Sequence, residues 1–182
     1  MRIASLHHRN SLGRRTLASE SGQATLEFAA LATVALSILF LTIDFGRAMY
    51  DLQVMSGLSR QGGNLASRGS TVSAAAAAVI AGQAPLNLSG SGEVIMTSII
   101  DTNGVYTITD QASQGGMTPA PSSKFGTGIG NAATLPAAAR SMFQSGQSIY
   151  VAEVFYPFRP LTPVGNLLKV AMPSTLYDAA YF

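Results

Sequence analysis

Residues 24–43 read ATLEFAALATVALSILFLTI and decide the architecture of the chain. These 20 residues contain one charged side chain, Glu27. A helix of this length rises about 1.5 Å per residue and is about 30 Å long, which matches the hydrocarbon core of a bilayer. A cleaved secretory signal is the alternative, but its apolar region usually has ~7–15 residues, and this run continues into residues 44–47 (DFGR), a poor cleavage site. The sequence therefore predicts one membrane-spanning helix.

The basic charge of the chain is concentrated ahead of this helix. Residues 1–22 carry four arginines against one glutamate, a net of +3, whereas residues 23–182 carry seven Lys or Arg against eight Asp or Glu, a net of −1. Basic residues that flank an apolar helix remain on the cytoplasmic side of a membrane. We therefore expect a cytoplasmic N-terminus and an exported C-terminal part. Because the charge belongs to the tail, we expect no nucleic-acid partner.

The composition argues against catalysis. The chain has no cysteine, which excludes thiolate nucleophiles and zinc–thiolate sites, and its two histidines, His7 and His8, both lie in the basic tail. A nucleophilic triad built on histidine is therefore excluded beyond the tail. The glycine-rich residues 128–133 fit a dinucleotide fingerprint loosely, but no apolar strand precedes them and Pro136 interrupts the helix that should follow. We expect no enzyme activity, cofactor, metal or small-molecule substrate.

Four acids beyond the helix remain as candidates for acid–base chemistry: Asp101, Asp110, Glu153 and Asp178. They are spread along the sequence, so they could form a glycosidase-like carboxylate pair only by an accident of folding. We interpret them as residues of solvated turns and strand faces.

The helical pattern continues beyond the membrane span. Asp44, Arg47 and Asp51 have spacings at which opposite charges meet on a helix surface. Arg68-Gly69-Ser70 is typical of a helix end, so we expect one helix of about 45 residues. Apolar or small residues at spacings of three and four predict a stripe along its outer half, namely Met49, Leu52, Met55, Leu58, Gly62 and Leu65. We interpret this stripe as packing on the protein's own sheet; packing against helices of other subunits is the alternative.

The rest of the chain predicts a small β domain. Residues 94–100 (VIMTSII) and 105–109 (VYTIT) are rich in β-branched side chains, and Asn103-Gly104 between them is the strongest short-range hairpin signal. The other predicted elements are a short helix from Ser73 to Gly82, a surface loop at 111–134 within a loop-rich stretch at 111–147, a strand from Ser148 to Phe158 and a last strand from Leu176 to Phe182. The predicted fold class is α+β: a long N-terminal transmembrane helix that extends into a small exported antiparallel domain.

The most specific motif lies where the basic tail meets the apolar helix. Gly22 is followed five positions later by Glu27 and then by Phe28. This Gly-x-x-x-x-Glu-Phe pattern resembles the processing site of type IV prepilins, and the aromatic residue after the glutamate is similar to the Flp and TadE branch.

Three further stretches, residues 43–50, 59–69 and 151–161, resemble the TadE-like family. Within the second, Asn64 stands where the family usually has an arginine. The chain also ends at Tyr181-Phe182 without the basic tail of many relatives. Residues 70–146 resemble nothing that we can name.

The resemblance implies a minor pilin or pseudopilin that takes part in assembly of a Tad (Flp) type IV pilus. A prepilin peptidase would cut between Gly22 and Gln23, which leaves Glu27 and Phe28 near the new N-terminus as assembly residues. A new α-amino group, protonated near neutral pH, could pair with Glu27 of a neighbouring subunit inside the membrane.

The same resemblance implies three regions: a basic leader at 1–22, a transmembrane and assembly helix at 23–69 and an exported α+β domain at 70–182. The expected partners are the prepilin peptidase, the major Flp pilin and other TadE- or TadF-like minor pilins. The expected location is the bacterial inner membrane, with the C-terminal domain in the periplasm. An unprocessed single-pass membrane protein whose exported domain binds a ligand is the alternative.

Overall fold

The computed structural model describes residues 12–141, 144–163, 165 and 173–182, with side chains described from residue 22 onward. Residues 1–11 of the predicted leader, with both histidines, lie outside the described residues. The elements in chain order are α1 (Leu12–Ser67), α2 (Val72–Ala81), α3 (Leu88–Ser91), β1 (Glu93–Thr102), β2 (Val105–Gly115), α4 (Ala137–Arg140), β3 (Ser148–Pro157) and β4 (Thr175–Tyr181). The predicted α+β class is confirmed.

Helix α1 has 56 residues and is longer than predicted, because it begins at Leu12 within the basic tail rather than at the start of the apolar run. Its predicted end is confirmed. Gly69 has a φ of +100°, a conformation that glycine adopts without a side-chain clash. The N–H of Gly69 donates to the carbonyl of Ala66, and the N–H of Ser70 donates to that of Leu65. This pair of bonds is a Schellman motif, which satisfies two of the last carbonyls of the helix.

The first half of α1 stands clear of the rest of the protein. Its most apolar window of 18 residues has a mean hydropathy of 2.2, and none of that window is buried. The hydroxyls of Thr33, Ser37 and Thr42 each donate to the carbonyl four residues earlier. A hydroxyl bonded in this way does not bring an unsatisfied donor into hydrocarbon. By length and composition, α1 is able to cross a membrane.

The four strands form one antiparallel sheet in the order β2-β1-β3-β4. The predicted hairpin is confirmed, with Asn103 and Gly104 both at positive φ between β1 and β2. The predicted last strand is confirmed as β4.

The prediction of a loop from residue 111 is wrong at its start, because β2 continues to Gly115. Residues 111–115 (QASQG) have weak β-propensity and gave no strand signal. They pair in register with residues 93–97 of β1, whose backbone groups need partners on that side. Tertiary pairing therefore outweighs local preference here.

The inner face of the sheet packs on α1 and α2. The buried residues of α1 are Asp44, Ala48, Asp51, Met55, Leu58, Ser59, Gly62, Gly63 and Ala66. Three members of the predicted stripe, Met55, Leu58 and Gly62, are among them. Met49 is 46% exposed, so the prediction that it belongs to the packed face is wrong. The contact face is rotated toward small residues because these let the helix backbone approach the sheet closely.

Gly62 shows how close this approach is. A Cβ built on Gly62 would lie 2.8 Å from Val79 Cγ2 of α2 and 3.1 Å from Met96 Sδ of β1. A Cβ on Gly63 would lie 2.3 Å from the ring of Phe182. The outer face of the sheet carries a second cluster, in which Phe125 and Leu135 from the segment after β2 cover the strands.

The glycines of α1 provide a matched test of this packing. We expect Gly62→Ala to lower the free energy of unfolding, because overpacking typically costs about 1–3 kcal/mol and the helix-propensity gain offsets only about 1 kcal/mol. Gly57→Ala should raise it slightly, since nothing lies within 4 Å of a Cβ there. Thermal unfolding of the detergent-solubilised chain measures both. Equal shifts for the two variants would contradict the packing described.

Candidate functional site: the N-terminal segment of α1 and its joint to the domain

The predicted cleavage position lies inside the continuous helix α1. Gly22 and Gln23 are both exposed, and no atom comes within 4 Å of a Cβ built on Gly22. The backbone there is helical, so a protease that binds an extended chain would have to open α1 locally. Glycine makes this opening easier, since it is about 1 kcal/mol less favourable in a helix than alanine.

Two of the predicted site residues are in direct contact. Gln23 Nε2 donates to Glu27 Oε1 at 2.9 Å, across one turn of α1. A carboxylate has about four acceptor positions, so this bond leaves capacity for further donors. Phe28 follows with 73% of its surface exposed and is placed for contacts outside the chain. The segment thus presents an acid and a large aromatic side chain on the uncovered part of the helix.

A second arrangement joins α1 to the domain, and Asp44 is its centre. Asp44 is fully buried although it directly follows the exposed apolar run. Its Oδ1 accepts from the N–H of Leu161 at 2.8 Å, and its Oδ2 accepts from the hydroxyl of Thr162 and from the N–H of Thr162 at 3.3 Å. Leu161 and Thr162 belong to the turn that follows β3. The carboxylate therefore ties this turn to the helix.

Gly165 completes the joint. It is buried, and a Cβ built on it would lie 2.6 Å from Asp44 Oδ2 and 2.1 Å from Pro160 Cβ. Any side chain at this position would push the turn away from the carboxylate. Close backbone approach at Gly165 is therefore part of the arrangement that buries Asp44.

Above the joint lies a cavity of about 300 Å³. It is lined by residues from α1, α3 and the end of β3, namely Arg47, Asp51, Asn87, Ser91, Tyr156, Pro157 and Arg159. Arg47 and Arg159 are exposed, whereas Asp51 is only 8% exposed. Both signs of charge therefore meet in this cavity, and its two arginines are accessible to solvent.

Among the other candidate acids, Asp101 and Asp178 have structural partners. Asp101 accepts from the N–H of Gly104 at 2.7 Å and closes the hairpin, and Asp178 accepts from the hydroxyl of Ser59 on α1. The register places Asp178 opposite Val154 and places Ala179 opposite Glu153, so Glu153 and Asp178 lie on opposite faces of the sheet. These two carboxylates therefore cannot face each other across a cleft.

Glu153 is fully buried on the outer face of the sheet, and Asp101 is 5% exposed, so the interpretation of these two as solvated residues is wrong. Glu153 Oε1 accepts from the N–H of Lys124 at 2.9 Å and from the hydroxyl of Tyr177 at 3.0 Å. Burial raises the pKa of Glu153, and burial together with the Glu153 charge raises the pKa of Tyr177. Lys124 Nζ lies 3.3 Å from the centre of the Tyr177 ring. These contacts fasten the segment after β2 onto the sheet.

A family model described as TadE-like protein matches residues 22–64. Residues 22–64 are therefore similar to the TadE-like family. The match begins at the predicted cleavage glycine and includes Glu27, Phe28 and Asp44, so the resemblance inferred from these residues is confirmed over this segment. Residues 151–161 lie outside the match, and their resemblance stays a prediction. No curated protein and no solved structure matches the chain.

Residue spacing alone does not predict the joint between residues 22–64 and the turn after β3. The spacing of Asp44 and Arg47 predicts a charge pair, and the Arg47 charge does act on the Asp44 carboxylate, but that carboxylate is buried and also accepts hydrogen bonds from Leu161 and Thr162. One signal pointed to the contact: the stretches 43–50 and 151–161 both resembled the family. Two such stretches far apart in sequence are candidates for contact in space.

Removing the carboxylate should loosen this turn. We expect Asp44→Ala to leave the N–H groups of Leu161 and Thr162 without their acceptor. Hydrogen bonds to charged groups are worth about 1.5–3 kcal/mol, which corresponds to roughly tenfold or greater acceleration of amide exchange. Hydrogen exchange with mass spectrometry on a peptide that spans the turn measures this change.

The matched control is Asp110→Ala, which removes an exposed acid from β2. It should leave exchange in the turn unchanged. Equal protection of the turn in both variants would contradict the role of Asp44.

Proposed function

We propose that the chain is a minor pilin or pseudopilin that takes part in assembly of a Tad (Flp) type IV pilus. The observation that carries this proposal is the TadE-like segment itself, an uncovered apolar helix long enough to cross a bilayer. That helix continues without interruption into a small antiparallel domain and packs on it. A membrane helix in rigid connection with a domain suits a subunit that assembles laterally through helix packing.

Insertion in the inner membrane places residues 24–43 in the bilayer. The basic residues of the tail favour a cytoplasmic N-terminus and a periplasmic domain. A prepilin peptidase then removes residues 1–22, and the exposed, helix-weakening Gly22 supports this position for the cut. The partners are this peptidase, the major Flp pilin and other TadE- or TadF-like minor pilins.

The role is structural, not catalytic. The contacts of Asp101, Glu153 and Asp178 support this view, because each acid holds a turn, a covering segment or the helix in place. In the described ranges, no group of three or more His, Asp or Glu side chains is arranged to hold a metal ion.

Glu27 acts in assembly in this proposal. It is the single charge within residues 24–43, and an ionised acid at the centre of a membrane costs about 2.5–3.5 kcal/mol on insertion scales, with less near the interface. Gln23 supplies one neutral donor within the chain. The α-amino group of a neighbouring processed subunit supplies a charged donor, and such a bond is roughly twice as strong. Glu27 therefore favours the assembled state.

The mature N-terminus tests processing. We expect the protein from cells with an active pilus system to begin at Gln23, as measured by mass spectrometry of the intact chain. Gly22→Val should leave the full-length precursor, because a β-branched side chain then occupies the position before the cut. Retention of residues 1–22 in the wild-type protein would instead support the alternative, an unprocessed membrane-anchored binding protein.

Replacing Glu27 tests assembly separately. Glu27→Ala and Glu27→Gln should both insert and be cut after Gly22, yet co-purify poorly with the pilin partners and give few pili. Glu27→Gln keeps a side chain that accepts a hydrogen bond from Gln23 and loses only the charge, so it isolates the charged pair. A normal number of pili in both variants, with the variant proteins at wild-type abundance, would contradict the assembly role of Glu27.

A further inference from the structure

The turn after β3 lies at the level where the apolar run of α1 ends. Asp44 follows Ile43, the last residue of that run, by one residue, or about 1.5 Å along the helix axis. The Asp44 carboxylate contacts the backbone of Leu161 and Thr162 directly. If residues 24–43 span the bilayer, these contacts place the turn at the membrane surface.

Leu161 projects outward from this position. It is 73% exposed, although its own N–H is bonded to a fully buried carboxylate and the nearby Phe158 is 8% exposed. A single exposed leucine is ordinary on a protein surface. What distinguishes Leu161 is its position along the axis of α1, at the end of the apolar run. Ile43 and Phe45, on either side of Asp44, are also exposed there, at 42% and 51%. Exposed apolar side chains of the helix and of the turn therefore lie at the same position along the helix axis.

The charged and aromatic residues above the turn fit the headgroup layer. Arg47 lies three residues beyond Asp44, or about 4.5 Å along the axis, and the headgroup region is roughly 5–8 Å thick on each side of a bilayer. Arg47, Arg159 and Tyr156 line the same cavity. Arginine and tyrosine are residues that membrane interfaces favour, since the stems or rings stay apolar while their polar ends reach phosphates and water.

We propose that the turn from Phe158 to Pro163 is a second membrane contact of the exported domain, with a lipid surface as its partner. Leu161 enters the boundary of the acyl chains, and the guanidinium groups of Arg47 and Arg159 lie among the lipid phosphates. This inference rests on the proposed insertion of α1 in the membrane. Its consequence is that the domain is held against the bilayer at two points, so a subunit that leaves the membrane must break the contact at the turn as well as withdraw its helix.

The position of the turn at the membrane surface favours lipid, rather than a second subunit, as the partner that covers Leu161. A protein that covered Leu161 would itself have to stand in the headgroup layer beside the helix. Lipid is already present there around any inserted helix, and it covers an exposed leucine without a dedicated partner.

The chain contains no tryptophan, so single tryptophans can report the depth of chosen positions. The test uses full-length Leu161→Trp, Val34→Trp and Val105→Trp proteins in vesicles whose lipids carry bromine near the top or near the end of the acyl chains. Val34 is 58% exposed within the apolar run. Val105 is 62% exposed at the hairpin tip, at the opposite end of the sheet from the turn, because Glu93 of β1 pairs with Phe155 and Ile100 pairs with Ser148.

We expect bromines near the end of the acyl chains to quench the fluorescence of Val34→Trp most strongly. Bromines near the top of the chains should quench Leu161→Trp several-fold more than Val105→Trp. The emission of Leu161→Trp should also shift to the blue in vesicles. Adding Asp44→Ala to Leu161→Trp should reduce the quenching, because the turn is then released. Adding Arg159→Gln should reduce it in vesicles of anionic lipid.

The outcomes separate this inference from the proposed function. Quenching of Val34→Trp together with equal, low quenching of Leu161→Trp and Val105→Trp would overturn the contact at the turn and leave membrane insertion standing. Protection of Leu161→Trp from a water-soluble quencher without quenching by brominated lipid would identify a protein occupant and likewise overturn the proposal. Absence of quenching at Val34→Trp would contradict insertion itself, and the lipid contact with it.

Discussion

The hydrogen-bonded carboxylate of Asp44 is the contact on which the relation between helix and domain depends. Before it, the side chains of residues 22–43 are exposed or half-exposed on every side of α1. From Asp44 onward, one face of the same helix is buried in steps of three and four. A carboxylate that has lost all contact with water is tolerated only if donors replace the water. Leu161 and Thr162 supply those donors, so the turn after β3 must close on the helix where its uncovered part ends.

Beyond Asp44, small residues keep the helix and the sheet in close contact. Gly62 brings the backbone of α1 against Val79 and Met96, and Gly63 accommodates the ring of Phe182. With the carboxylate at one end and the glycines toward the other, the domain is fastened to α1 at two places well apart along the axis. These two contacts would carry the domain along with any motion of the helix. In the proposed pilus, a rotation or rise that helix packing imposes on α1 would orient the exported domain as well.

Sequence patterns predict the elements that are determined by residues close to one another in the chain. The Asn103-Gly104 turn and the helix end at Gly69 depend on neighbours in sequence, and both predictions are confirmed. The elements that were missed depend on distant partners. Residues 111–115 form a strand because β1 needs a partner, Met49 leaves the packed face because small residues allow closer approach, and Asp44 bonds residues 117 and 118 positions away. The pairing of residues 111–115 and the bonds of Asp44 cannot be read from residue spacing within α1.

The contact between Gln23 and Glu27 connects the two states that the proposed processing would create. In the intact helix, the Gln23 side chain donates to the Glu27 carboxylate, so the acid has a partner before any cut. A cut after Gly22 would remove the helical residues 12–22 and convert Gln23 into a terminal residue with a charged amine. The same position would then present a neutral donor to its own Glu27 and a charged donor to that of a neighbour. Because a charged donor binds a carboxylate more strongly, and more so where the dielectric constant is low, cleavage would turn an acid that is merely tolerated into one that draws subunits together within the membrane.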